Sequence, residues 1–144
     1  MSISFKPSAG DVLLCEFGPD PRAPDCFPAR TGPISVPPEM IKRRHVVILS
    51  TNIDLMIVAP FSTKAPRPQR ACHHRISAGA YPFFDPQSDN WLKGVMVMAA
   101  SRDRLDRLRY DGAYRRATVS VEDLKAIRTA VLNGLGLATL TAHL

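Results

Sequence analysis

Apolar residues fall along this chain in short blocks rather than in one sustained period. Residues 11–17 (DVLLCEF) form a mainly apolar run punctuated by Gly10 on one side and Gly18-Pro19 on the other, which predicts a first strand between turns. Residues 44–50 (RHVVILS) and 54–60 (DLMIVAP) are continuous apolar runs separated by Thr51-Asn52-Ile53. This pattern predicts a hairpin, buried on at least one face, at the centre of a sheet. Past Pro60 the chain reads Phe61-Ser62-Thr63-Lys64-Ala65-Pro66-Arg67-Pro68, where hydroxyls, cations and prolines replace aliphatics. A loop carrying polar groups is therefore expected to leave the sheet there.

Weaker strand signals follow at residues 72–77, within residues 91–100 around Gly94-Val95-Met96-Val97-Met98, and at residues 114–119. The aromatic cluster Tyr81, Phe83, Phe84 has the composition of core or loop packing, although such rings also stack on bases. Residues 101–109 (SRDRLDRLR) place Leu105 and Leu108 three apart among alternating charges, a pattern that fits either a charged edge strand or a helical turn. Ser120-Val121-Glu122-Asp123 has the form of a helix start, a hydroxyl followed three residues later by an acid. Leu124, Ile127, Val131 and Leu135 then recur at helical spacing, and Gly134 and Gly136 mark the end, so a closing helix is expected over about 121–135. The fold class that follows is mainly β, with short antiparallel strands closed into a small barrel or half-barrel and one C-terminal helix packed against it.

With 144 residues, 45% of them hydrophobic and 22% charged, the chain has the size and composition of one globular domain over 1–144. Residues 18–38 contain seven prolines and almost no apolar periodicity, and they read as a long surface loop. No apolar run approaches the roughly 20 residues that cross a bilayer, and the first residues lack an apolar core of signal-peptide length, so a cytoplasmic protein with no membrane partner is expected. Cys15, Cys26 and Cys72 form no CxxC pair and are expected as reduced thiols. Cys72-His73-His74 offers metal-ligand atoms without a second cluster to complete a site, so neither a metal nor another cofactor is expected.

Charge changes the picture more than composition does. Between Glu39 and Arg75 stand seven cations (Lys42, Arg43, Arg44, Lys64, Arg67, Arg70, Arg75) against two acids (Glu39, Asp54), most of the chain's net charge of +6. Arginine outnumbers lysine 14 to 5, and its planar fork suits phosphates and carboxylates that accept two hydrogen bonds at once. A polyanion, nucleic acid or an acidic protein segment, is the natural partner. If the central hairpin pairs antiparallel, Arg44 at the start of one strand and Ser62-Thr63-Lys64 at the end of the next share one edge of the sheet. Fixed donors there would stabilise the charge that builds on a phosphate during RNA cleavage by its own 2′-hydroxyl. Arg44 suits the role of electrostatic clamp, but guanidinium stays protonated, so proton removal would fall to another group. Glu39, His45, His73 and His74 are the candidates.

Several stretches together resemble one family. "GDVLLCEFGP", followed by Glu39, Arg44, "VVILS" and "IVAPFSTK", is similar to the MazF/PemK toxins, as are "KGVMVMAASRDRLDR" and "VSVEDLKAIRTAVLNGLGL" farther on. His45 stands where that family usually has proline. The resemblance implies a dimeric SH3-like barrel that cuts single-stranded RNA at short sequences without a metal, leaving a 2′,3′-cyclic phosphate. It puts the family's catalytic arginine on Arg44 and its hydroxyl on Ser62, with Thr63 beside it. Glu39, Lys42, Arg43, His45, Lys64, Arg67 and Arg70 are then the expected RNA-binding residues. A cognate antitoxin with an acidic disordered segment is also implied, and such a segment would cover the same basic patch. Two other readings use the same barrel. One is a non-catalytic gyrase poison resembling CcdB, which acts through C-terminal residues including a tryptophan, whereas the tryptophan here is Trp91. The other is a catalytically silent nucleic-acid-binding module.

Overall fold

The apolar runs become strands of one antiparallel sheet. The computed structural model of the chain describes residues 3–18, 40–52 and 54–144. Glu39, Cys26, Ile53 and the Pro-rich stretch from residue 19 onward lie outside the described residues. The strands are β1 (Asp11–Glu16), β2 (Arg43–Thr51), β3 (Leu55–Ser62), β4 (His73–Ile76), β5 (Asn90–Lys93), β6 (Met98–Ser101), β7 (Leu105–Asp106), β8 (Leu108–Tyr110), β9 (Ala113–Arg115) and β10 (Ala117–Thr118). Helix α1 spans Val121–Gly134 and a terminal 3-10 helix spans Ala138–His143. The eight-stranded sheet runs β10-β1-β2-β3-β5-β4, with β6 on β3 and β7 on β1, while β8 and β9 pair only with each other. The expected mainly β architecture with one C-terminal helix is present, and among the described strands the sheet stays open rather than closing into a barrel.

Alternation along the strands supplies two apolar layers, one on each face. Val47, Ala59, Phe61 and Leu92 meet Ile127, Ala130 and Val131 of α1 on what is termed here the helix face. Val46, Ile48, Met56 and Val58 point the other way and pack with Leu13, Cys15, Ala100, Leu105 and Ile3. A strand buried on both faces reads as a continuous apolar run, which is why residues 46–48 show no polar alternation. Ile127 is fully buried, and covering such a side chain stabilises the helix on the sheet by about 2 kcal/mol.

The helix starts where expected, with Ser120 Oγ accepting the Asp123 N–H at 3.0 Å. The Asp123 carboxylate does not answer the cap. It accepts the Tyr81 hydroxyl at 2.6 Å and lies 2.9 Å from His74 Nε2, tying the helix start to β4 and to the loop behind it. Past the C-cap Leu135, Gly136 turns the chain away with a φ of 75°, which allows Leu137 N–H to reach Leu132 O at 2.8 Å.

Two expectations need correction. The apolar run over 91–100 is not one strand, because a 3-10 turn at Gly94–Met96 separates β5 from β6. A Cβ on Gly94 would lie 2.5 Å from Ala130 O and 2.9 Å from Cys72 O, so the chain bends where helix backbone presses on it. β5 pairs with the end of β3 at Phe61 and Ser62, and β6 pairs with its start at Leu55 to Val58. In the charged stretch the two expected forms are not alternatives but follow one another: Arg102–Arg104 is a 3-10 turn, Leu105–Asp106 pairs as a short strand with β1, and Leu105 and Leu108 enter opposite apolar layers.

Candidate active site

Strand register brings Arg44 and Ser62 together. Val46, Val47 and Ile48 of β2 face Pro60, Ala59 and Val58 of β3, and the same register carried two residues further puts Arg44 opposite Ser62. Across the neighbouring strands, Cys15 faces Arg44, Ser62 faces Trp91, and Trp91 faces Arg75. These five residues form one transverse row. By alternation from Val46, Ile48 and Val58, the row projects from the face opposite the helix. Rigid strands hold it, as a site that must place donors accurately requires.

Within the row, Arg44 is half-buried and its Nε donates to Ile41 O at 3.2 Å. That bond fixes the side chain and does not use the forked Nη1 and Nη2 end. Ser62 is also half-buried, and its Oγ accepts the Lys64 N–H at 3.1 Å, so its own proton can be donated outward. The same turn exposes Thr63 and Lys64 just beyond the strand end. Lys64, Pro66 and Arg67 then line a groove of about 580 Å³ with Lys93 of β5. A second groove of about 290 Å³ shares Pro66, Arg67 and Lys93 and adds Arg70, Cys72 and His73. The loop 63–72 thus presents a run of cations beside the Arg44 row.

Of the expected site residues, the fold gathers Arg44, Ser62, Thr63, Lys64, Arg67 and Arg70 at this side. Lys42 precedes β2, exposed, with a left-handed φ of 66°. Arg43 and His45 have the opposite parity and lie on the helix face. Arg43 Nη2 donates to Asp106 Oδ2 at 2.7 Å, and the His45 ring meets the Phe84 ring edge-on at 5.2 Å. Burial pushes His45 below the usual imidazole range, so it stays neutral there. One continuous patch containing Arg43 and His45 is therefore not what the strands build.

The proton-accepting candidates separate in the same way. His74 faces the helix side, bound to Asp123. His73 shares the face of Ser62 but lies two strands across and two residues along, about 12 Å at ordinary strand spacing. Burial, then the nearby Lys93 and Arg70, hold His73 below the usual range. Its Nδ1 accepts the Arg70 N–H at 3.0 Å, so the neutral ring carries its proton on Nε2, 3.9 Å from Cys72 Sγ. Glu39 lies outside the described residues. Among the described residues no cluster of three or more His, Cys, Asp and Glu side chains could hold a metal. No helix there is long and apolar enough to cross a membrane.

Lys93 was not anticipated, although alternation in Asn90-Trp91-Leu92-Lys93 already puts it on the same face as Trp91. Phe83 and Phe84 are buried, so the aromatic cluster belongs to the core.

No family model matches the chain. An uncharacterized protein of Escherichia coli (strain K12), YifN, is 33% identical over 154 residues, covering 97% of this chain and 99% of YifN. An uncharacterized protein of Haemophilus influenzae is 26% identical over 149 residues, with 97% of this chain and 98% of that one covered. Among solved structures, the Mycobacterium tuberculosis toxin MazF-mt6 superposes with a TM-score of 0.51 at 15% identity, over 69% of this chain and 92% of that one. At that identity the likeness is one of fold, and it matches the antiparallel sheet and closing helix described above. One third identity to YifN along nearly the whole of both chains is a closer relation, and on it the chain belongs to the YifN family, built on a MazF-like fold.

Proposed function

We propose that this chain is a metal-independent endoribonuclease of the toxin type, cutting single-stranded RNA at short sequences by attack of the 2′-hydroxyl on the adjacent phosphorus. The observation that carries this reading is the shared row of Arg44 and Ser62 on a rigid sheet, flanked by Lys64, Arg67, Arg70 and Lys93. In the reaction the 2′-oxygen bonds to phosphorus, the bond to the 5′-oxygen breaks, and the products are a 2′,3′-cyclic phosphate and a 5′-hydroxyl. Charge grows on the two non-bridging oxygens. The Nη1 and Nη2 donors of Arg44 and the hydroxyl of Ser62 are of the right kind to meet it, and removing one such donor lowers the rate by about 10² to 10³. The cations of the loop 63–72 hold flanking phosphates.

Proton removal needs a group other than Arg44. His45 and His74 are turned to the other face, and His73 carries its proton on the atom that would have to accept one. The reading therefore assigns this role to Glu39, five residues before Arg44 in the chain. An antitoxin with an acidic disordered segment would compete for the same cations, and a homodimer is the expected assembly.

The test is incubation of purified protein with a mixed single-stranded RNA pool in EDTA, with the ends mapped. Cyclic phosphate ends are expected from the wild type, and Arg44→Ala, Ser62→Ala and Glu39→Gln should fold normally yet lose cleavage. Cutting that survives both Arg44→Ala and Ser62→Ala removes the site assignment. Binding without any cutting by the wild type leaves a nucleic-acid-binding module in its place.

A further inference from the structure

The hairpin of β8 and β9 stands apart from the main sheet and carries charge that the cleavage site does not use. Its turn is Asp111-Gly112, with φ of 50° and 76°, the left-handed pair of a tight two-residue hairpin. The base is anchored. Leu108 is buried in the helix-face core, the Tyr110 ring lies 5.9 Å from Phe83, and the Tyr110 hydroxyl donates to Arg116 O at 2.9 Å. Above that base Tyr114 is half exposed, with the Arg107 guanidinium 5.1 Å and the Arg109 guanidinium 5.9 Å from its ring centre.

From Arg107 to Arg116 the chain holds four arginines against one acid, Asp111. Arg116 is committed to Asp11 and the neighbouring Arg43 to Asp106, whereas Arg107 and Arg109 make no ion pair among the described residues. Two guanidiniums over one ring repel each other, and an anion between them would relieve that repulsion. Beside them runs a groove of about 380 Å³ lined by Leu14, His45, Phe83, Arg43 and Tyr114, whose one acid, Asp106, is neutralised by Arg43.

We propose that this hairpin is a second binding surface for single-stranded RNA, on which an unpaired base stacks against Tyr114 while flanking phosphates pair with Arg107 and Arg109. A half-exposed ring beside unpaired cations matches a flat base joined to phosphates, the guanidiniums leaving the ring for the phosphates as the base stacks on it. A carboxylate-rich peptide would satisfy the cations and leave the ring unused. Stacking requires an unpaired base, which selects single strands over duplex. Arg43 and Arg44 are adjacent yet point to opposite faces, so the hairpin groove and the Arg44 row meet at the start of β2. An RNA longer than the cut site can occupy both. The hairpin surface stands whether or not the Arg44 row cleaves.

The experiment is fluorescence anisotropy with a labelled 2′-O-methyl oligoribonucleotide of mixed sequence, which cannot be cut by 2′-attack, over a range of salt. Tyr114→Ala should weaken binding roughly 5- to 100-fold and Tyr114→Phe should retain it. Arg107→Ala with Arg109→Ala should flatten the salt slope by about 1.4, the share of two phosphates on a single strand. All these side chains are exposed, and melting curves check that the fold is kept. Binding within twofold of wild type in Tyr114→Ala, with the salt slope unchanged in the arginine pair, overturns the proposal. So does a polyglutamate peptide that displaces the RNA equally well from wild type and Tyr114→Ala. The two readings separate cleanly: a wild type that never cuts RNA, with hairpin variants that bind weakly, removes only the nuclease. A wild type that cuts, with hairpin variants that bind as it does, removes only the hairpin surface.

Discussion

Replacing Asp11 by asparagine tests whether the Gly-Asp pair that opens β1 serves architecture or chemistry. The Asp11 side chain is 1% exposed, and its carboxylate accepts four hydrogen bonds. Oδ1 takes Arg116 Nε at 3.0 Å and Thr118 Oγ1 at 2.8 Å, and Oδ2 takes Ser8 N and Arg116 Nη2 at 2.8 Å each. One side chain thereby joins the turn before β1 to β1 itself and to β10, and Gly10, with φ of 92°, makes the turn that aims it. Asparagine keeps the shape but has one acceptor oxygen. Whichever way the amide is turned, its NH₂ faces two donors. Arg116 can swing into water, so the cost falls on the buried side, where a lost charge-assisted bond and a stranded donor together come to about 3 kcal/mol. Total stability for a domain is about 5–15 kcal/mol, so the loss is large. Urea unfolding followed by Trp91 fluorescence should show a midpoint about 1–2 M lower at unchanged m. Because Asp11 lies outside the Arg44 row, folded Asp11→Asn should keep whatever RNA cleavage the proposed site gives the wild type. A variant that keeps its stability within about 0.5 kcal/mol, or one that stays stable and stops cutting, would refute the architectural reading.

Gly94→Ala should lower stability by about 1–3 kcal/mol in thermal unfolding, since its Cβ meets backbone at 2.5 Å and backbone yields poorly; an unchanged melting point contradicts the close-packing account. Lys42→Gly relieves a left-handed lysine and should stabilise the fold by about 1 kcal/mol while weakening RNA binding, and a loss of stability would show that the conformation carries no strain. His45 is held neutral by burial, so below about pH 6.5 the unfolded chain takes up its proton first. Stability from this group is full above that pH, declines as pH falls through the lowered folded value, and levels beyond it. His45→Leu should flatten that part of the pH profile measured by urea unfolding, and an identical slope in the variant would rule His45 out as its source.

The parts of the fold legible in the sequence are those whose cause is local. Gly10 and Gly18 bracket β1, unbroken apolar runs mark β2 and β3, and Ser120 sets the start of α1. Antiparallel pairing of two adjacent apolar runs suffices to put Arg44 and Ser62 on one edge of the sheet. The break at Gly94 was not legible, because Val95-Met96-Val97-Met98 stays apolar throughout and the bend comes from the backbone of Ala130, distant in sequence. Asp123 could be read as a capping acid, but not as the partner of Tyr81 and His74, which reach it across the fold.

Charge shows the same division more sharply. Counting along the chain joins Lys42, Arg43, Arg44 and His45 into one basic block, yet a strand sends successive side chains to opposite faces, so the block supplies two surfaces. The same counting leaves Arg107, Arg109 and Arg115 inconspicuous, since Asp103 and Asp106 come just before them and Asp111 lies between them. Folding commits Asp106 to Arg43 and uses Asp111 in the turn, so the acids that offset the arginines on paper do not offset them in space. The Asp111-Gly112 turn was itself a readable hairpin signal, masked because its flanking strands are short and charged rather than apolar. A linear charge balance thus locates the cations at the start of β2 and misses those of the hairpin. The basic surface is wider than the block of residues 42–45, and it turns around the start of β2 from one face of the sheet to the other.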